Sequence, residues 1–124
     1  MEVGKIYSKD EADKLYGAVQ QSKGISSPDL ASLLGSTKKY LMFKIINNQL
    51  VILGDQRVVL YPKGYKVDDK EVFVVYSIGK IKELLDTGKA VTTTVEQRKD
   101  VISINNGEQT MEIGQRCPPF CNGS

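Results

Sequence analysis

The chain has 124 residues, 40% of them hydrophobic and 26% charged, with a formal net charge of +2. That length suits one domain with a core of its own, without disulfide or metal staples, and the small, scattered charge gives no footprint for a nucleic-acid partner. Histidine is absent, which excludes a Ser-His-Asp or Cys-His mechanism and any site that needs an imidazole ligand or proton shuttle.

No apolar run approaches the roughly 18–20 residues of a membrane helix. The opening residues, MEVGKIYSKDEADK, lack the apolar core of a signal peptide, so a cytoplasmic protein without membrane association is expected.

Residues 8–21 read as the first helix. Ser8 and Glu11 have capping-box spacing, and Ala12, Leu15, Tyr16 and Val19 recur at helical intervals to make one apolar face. Ser22-Lys23-Gly24 ends it. A short second helix then starts with Ser27 as cap and Pro28 in its first turn. Leu30, Leu33 and Leu34 face the core, and Gly35 suits a left-handed closing residue. The two helices read as a hairpin covering a sheet.

Residues 40–62, YLMFKIINNQLVILGDQRVVLYP, are the longest apolar-rich stretch. A two-residue turn at Asn47-Asn48, where both residues tolerate positive φ, sets Ile45 opposite Leu50 and Phe43 opposite Ile52. Leu41, Phe43, Ile45, Leu50 and Ile52 then share one apolar face. The other face, with Met42, Ile46, Val51 and Leu53, is also mostly apolar, so the N-terminal helices or another subunit should cover it.

Pro62-Lys63-Gly64 opens a polar loop in which Tyr61, Lys63, Tyr65 and Lys66 interleave aromatic rings with positive charge. Such a loop can stack a base or hold an anion; tyrosines folded onto the sheet edge are the competing reading. A strand over residues 71–76 and a helix over 78–87, capped by Ser77 and closed by Gly88, follow without a phosphate-cradling glycine loop. Residues 90–96 form another strand. Asn106-Gly107 then predicts a hairpin with Ile102 opposite Met111 and Ile104 opposite Gln109. Its second face, Val101, Ser103, Thr110 and Glu112, should be wet. The strings INNQLVILGDQR and INNGEQTMEIGQR echo one another, through duplication or through chance.

The tail GQRCPPFCNGS carries both cysteines, Cys117 and Cys121. One reading is a redox pair, although the spacing is one residue longer than Cys-x-x-Cys. An extended Pro118-Pro119 at about 3.1 Å per residue would also hold the two Cα atoms too far apart for a bond. A second reading is a metal or cluster site: residues 119–124, PFCNGS, resemble the end of the CDGSH iron–sulfur motif. Only Cys121 matches a ligand position of that motif, and Asn122 replaces its aspartate. Two thiolates leave a four-ligand site incomplete in one chain. The third reading buries both cysteines as small hydrophobes. Arg57, Arg98 and Arg116 could gather around an anion.

These features predict one α+β domain over residues 1–124, with 115–124 a loosely ordered tail. They predict an antiparallel or mixed sheet of about six to seven strands, an N-terminal helical pair and one later helix. No residue qualifies as catalytic and no cofactor is called for. The expected function is a small non-enzymatic binding or interaction module, with a protein partner or a second copy of the chain on the two-sided hairpin. The alternative is a thiol-based redox or metal-linked protein acting through Cys117 and Cys121.

Overall fold

The computed structural model describes residues 3–99 and 101–117. Among them the chain forms two five-stranded antiparallel sheets and three α-helices spread along the sequence. The expected single sheet of six to seven strands with an N-terminal helical pair is therefore incorrect.

Two of the missed strands lie in the N-terminal third. Strand β1 (Lys5–Ser8) runs into helix α1 (Lys9–Tyr16), capped by Ser8, whose Oγ accepts from the Glu11 N–H at 3.3 Å. The helix stops at Gly17, which takes φ 86°, so it never reaches residue 21, and Leu15 on its supposed apolar face is 60% exposed. Strand β2 (Gln21–Ser26) occupies the segment read as a linker. Only Ile25 of its six residues is buried, so alternation could not reveal an edge strand that is recognised by its backbone partner alone.

Helix α2 (Ser27–Leu34) is capped by Ser26, one residue earlier than expected, and Gly35 has φ −73°, not the left-handed value. Strands β3 (Tyr40–Ile46) and β4 (Gln49–Leu53) pair in the expected register, with Asn47 and Asn48 at φ 49° and 63°. A short 3-10 turn at Asp55–Arg57 precedes β5 (Val59–Tyr61), and the Tyr61–Pro62 peptide is cis. Then come β6 (Phe73–Ser77), α3 (Ile78–Gly88), β7 (Thr92–Gln97), β8 (Ile102–Asn106), β9 (Gln109–Glu112) and β10 (Gln115–Cys117).

The β8–β9 register differs from the expected one. Ile104, not Ile102, lies opposite Met111, and the turn sits at Gly107-Glu108. Asn106 cannot serve in the turn because it is fully buried: its amide donates to Ser27 Oγ and Thr93 Oγ1, and its Oδ1 accepts from Ala90 N.

One sheet has the order β1-β9-β8-β7-β2 and the other β10-β6-β3-β4-β5. They face one another across a core of Phe43, Ile45, Leu50, Ile52 and Tyr76 against Val95, Ile102, Ile104 and Met111, closed by Leu30, Leu34, Ile81 and Leu84 of α2 and α3. Each hairpin brings its own apolar face, and stacking the two sheets buries both sets at once. The second face of β3–β4 is covered within the chain. Met42, Val51, Leu53, Phe73, Val75 and Cys117 form a smaller core beneath Tyr65 and Val67 of the 62–72 loop. Neither the N-terminal helices nor a partner is needed there.

The two sheets repeat one another. The run β9-β8-β7-β2 of the first matches β5-β4-β3-β6 of the second, so each half of the chain places its opening strand in the sheet of the other half. The details follow the same relation. Ser26 and Ser77 cap α2 and α3 and lie opposite Thr92 and Tyr40, and the helices are tied by Ser27 N to Val91 O (2.8 Å) and Ile78 N to Lys39 O (2.9 Å). Leu30 matches Ile81, Phe43 matches Val95, and Ile52 matches Ile104; all six are fully buried. Under this relation β3–β4 corresponds to β7–β8. The two Asn-rich strings instead lie on β3–β4 and β8–β9, so their likeness is not the repeat that the fold displays.

Candidate ligand-binding cleft

An open cleft runs where the β7–β8 connection of one sheet approaches β6 and β10 of the other. Its first part, about 330 Å³, is lined by Lys44, Val72, Val74, Gln97, Lys99 and Arg116 with Val101 and Ile102. A second part, about 390 Å³, shares Val74, Val101, Ile102 and Arg116 and adds Tyr16, Ile113 and Gly114. Both volumes fall in the range of small-molecule sites.

The walls arise from local sequence. Gln97 and Ile102 pair across the β7–β8 ladder, and Arg116 pairs with Val74 where β10 joins the edge of β6. The chain reaches β10 through Ile113 and Gly114. Gly114 must be glycine here, because a Cβ would lie 2.4 Å from Val74 Cγ1 and 2.8 Å from Tyr76 Cζ. Ile113 has φ 62° and is 52% exposed. A β-branched residue in the left-handed region is strained by about 1–3 kcal/mol, and here it presents an apolar side chain to the cleft. Strand β9 ends at Glu112, one residue before Ile113.

Behind the cleft, on the outer face of the β7–β8–β9 sheet, lies a buried charge cluster that no sequence pattern announced. The face expected to be wet is sealed by α1: Ser103, Thr110 and Glu112 are fully buried. Arg98, also fully buried, meets Asp13 at 2.9 Å, Glu112 at 3.3 Å and Glu96 at 3.6 Å, and donates to Ser103 Oγ and the Gly17 carbonyl. Lys9 lies 3.7 Å from Glu96 and 3.8 Å from Asp13. Among the described residues, Oε1 of Glu96 and of Glu112 has no hydrogen-bond partner. Burial pushes the Glu112 carboxyl above its ordinary range, against the opposing pull of Ser103 and Arg98. Tyr16, which ends α1 at the cleft, is pushed up to about 12, first by its hydrogen bond with Tyr7.

The sequence-predicted site residues separate into other places. Arg57 does not join Arg98 or Arg116. Its Nη1 donates to the Cys117 carbonyl at 3.0 Å and lies 3.4 Å from Cys117 Sγ, while Nη2 donates to the carbonyls of Asp68 and Glu71. Its guanidinium stacks 5.3 Å from the Phe73 ring centroid. Cys117 is fully buried and disulfide-bonded. Cys121 and the segment resembling an iron–sulfur motif lie outside the described residues. Tyr65 donates to Glu71 at 2.8 Å and packs on the smaller core, while Tyr61, Lys63 and Lys66 are exposed and line neither part of the cleft. Among the described residues no group of three or more cysteine, aspartate and glutamate side chains is arranged to hold a metal ion.

No family model, curated protein or solved structure matches the chain.

Proposed function

We propose that the protein is a small binding module whose ligand occupies the cleft between the two sheets. The observation that carries this reading is Ile113, held at φ 62° with its side chain half exposed in a cavity whose other apolar walls include Val72, 42% exposed. Backbone strain that places an apolar group where water reaches it favours a ligand over the free protein. The apolar hairpin face that argued for a protein partner is covered internally, so that argument no longer stands.

Titration of isotope-labelled protein with a panel of charged and apolar small molecules, followed by amide NMR, tests the reading. Shifts should cluster at Val74, Val101, Ile102, Ile113 and Gly114. Shifts confined to residues 62–70 of the loop, or none with any compound, would sink it.

A second reading is favoured by Arg57, whose guanidinium lies against Cys117 Sγ. On reduction of the disulfide a cation at this distance would stabilise a thiolate, which suits a redox-responsive tail. Thiol titration of the reduced protein should show a higher thiol pKa in Arg57→Ala than in the wild type, because the variant loses the neighbouring cation; a value unchanged by that substitution removes the reading. A disulfide also sits poorly with the cytoplasmic setting expected from the polar N-terminal residues, since the cytosol keeps thiols reduced. Among the described residues no helix is long and apolar enough to cross a membrane.

A further inference from the structure

We propose that helix α1 is a lid over the outer face of the β7–β8–β9 sheet. Ion pairs hold it shut, and the charge on Glu112 beneath it sets how often it opens. Of the eight residues of α1 only Ala12 is buried. The sheet beneath offers Glu96, Ser103, Thr110 and Glu112, with Arg98 from the β7–β8 connection; all are buried and all are polar. Such a contact gains little from the hydrophobic effect, and a helix this short does not persist in water by itself. What holds it is polar. Arg98 donates to Asp13 at 2.9 Å and to the Gly17 carbonyl, and Lys9 lies 3.7 Å from Glu96. At the edge of the contact the Tyr7 and Tyr16 hydroxyls lie 3.4 Å apart.

The two ends of the helix differ. Its first residue is pinned, because Lys9 N donates to the Glu108 carbonyl at 2.9 Å. Its last turn runs into Gly17, where φ is 86° and a Cβ would meet nothing within 4 Å. Residues 17–20 belong to no helix or strand. The helix can therefore swing from its C-terminal end once Arg98 releases Asp13 and Gly17. Tyr16 moves with it, and Tyr16 is a wall of the cleft, so opening the lid widens the cleft. The lid itself does not depend on the cleft holding a ligand.

Glu112 is the group least suited to this burial. From β7 and the connection after it, Glu96 and Arg98 face it; from α1, Asp13, Lys9 and Tyr16 do so. Tyr76 of the other sheet is near, its hydroxyl bonded to the Ile102 carbonyl. Lys5 stands opposite on β1, but its ammonium lies over the Tyr7 ring, 5.2 Å from the centroid. Asp100 lies outside the described residues. Three carboxyls thus share Arg98 and Lys9, and among the described residues Glu112 Oε1 and Arg98 Nη2 have no hydrogen-bond partner. Ionised, Glu112 favours the open lid, where water reaches these atoms; neutral, it favours the closed one. Burial accordingly raises its carboxyl above the ordinary range, against Ser103 and Arg98. Its contribution to closure is complete below the open-state pKa and is lost as pH rises through the closed-state one.

Amide hydrogen exchange of the intact chain, read by NMR from about pH 5 to about pH 8, tests the proposal. Amides of residues 13–17 should be at least about tenfold less protected than those of β8 and β9, with little dependence on urea. At neutral pH Glu112→Gln should raise their protection several-fold and flatten its fall with pH. Asp13→Asn, at a side chain 45% exposed, should lower it at every pH while keeping that fall. Protection that matches β8 and β9 in size and urea dependence would mean that α1 leaves only on global unfolding, and overturns the lid. Protection that Glu112→Gln leaves unchanged would mean that the helix merely frays above a buried Glu112, and overturns the proposal too. No effect of Asp13→Asn removes the ion pair as the fastening.

Discussion

Arg98 is the residue whose environment most constrains the others. A fully buried guanidinium is tolerated because Asp13, Glu96, Glu112, Ser103 and the Gly17 carbonyl surround it. Arg98→Met should cost about 3–5 kcal/mol in denaturant unfolding, because it leaves buried carboxylates without their cation. Glu112→Gln should act in the opposite sense. Three carboxyls face two cations in this cluster, counting Lys9, and burial already raises the Glu112 pKa. A folded-state pKa above the unfolded one gives stability that is complete below the unfolded value and is lost as pH rises through the folded value. The variant should therefore lose this decline above pH 4.5, the ordinary glutamate value, and gain on the wild type towards neutrality, measured by urea unfolding across pH. A pH profile identical to the wild type would show that Glu112 does not titrate in this range. The arginine was legible in the sequence only as a charge; its burial depends on three acids contributed by a helix and two strands.

Among the elements, the loop between α2 and β3 shows how a turn residue holds a distant segment. Asp55 Oδ2 accepts from the N–H groups of Lys38 and Lys39, and Oδ1 from that of Tyr40, all within 3.1 Å, while Asp55 N donates to Thr37 Oγ1. Asp55→Ala should destabilise by about 1–3 kcal/mol and Asp55→Asn by less, since the amide keeps one acceptor. Hydrogen exchange at residues 38–40 reads out both. The Gly54-Asp55 pair was visible in the sequence as a break between strands, whereas its partners lie 15 to 18 residues away. The β3–β4 hairpin was readable in register because turn and apolar pattern agree. In β8–β9 the Asn-Gly signal misled by one position. The buried Asn106 network outweighs the local preference of Asn for the turn.

At the scale of the molecule the two halves are interlocked: β2 lies beside β7, and β6 beside β3. Neither half can complete a sheet alone. A chain divided in the exposed loop at Gly64 should give fragments that are unfolded singly by circular dichroism and assemble one-to-one on mixing, as ultracentrifugation would show. Either fragment folding by itself would refute the interdependence. The smaller core makes the same point from another side. Met42, Val51 and Leu53 were recognisable as apolar and in need of cover, but the cover is Tyr65 and Val67, from a loop whose composition reads as solvated.

What the sequence determined alone was local: the cap at Ser8, the β3–β4 turn, the apolar faces of α2 and α3, and the lack of imidazole chemistry. Each depends on neighbours within a few residues, where steric and hydrogen-bond preferences act directly. The division into two sheets, the edge strand β2, the buried Arg98 and the cleft at Ile113 were decided by tertiary structure. Each is made by segments remote along the chain, and their pairing is favoured only once the shared core has drawn them together.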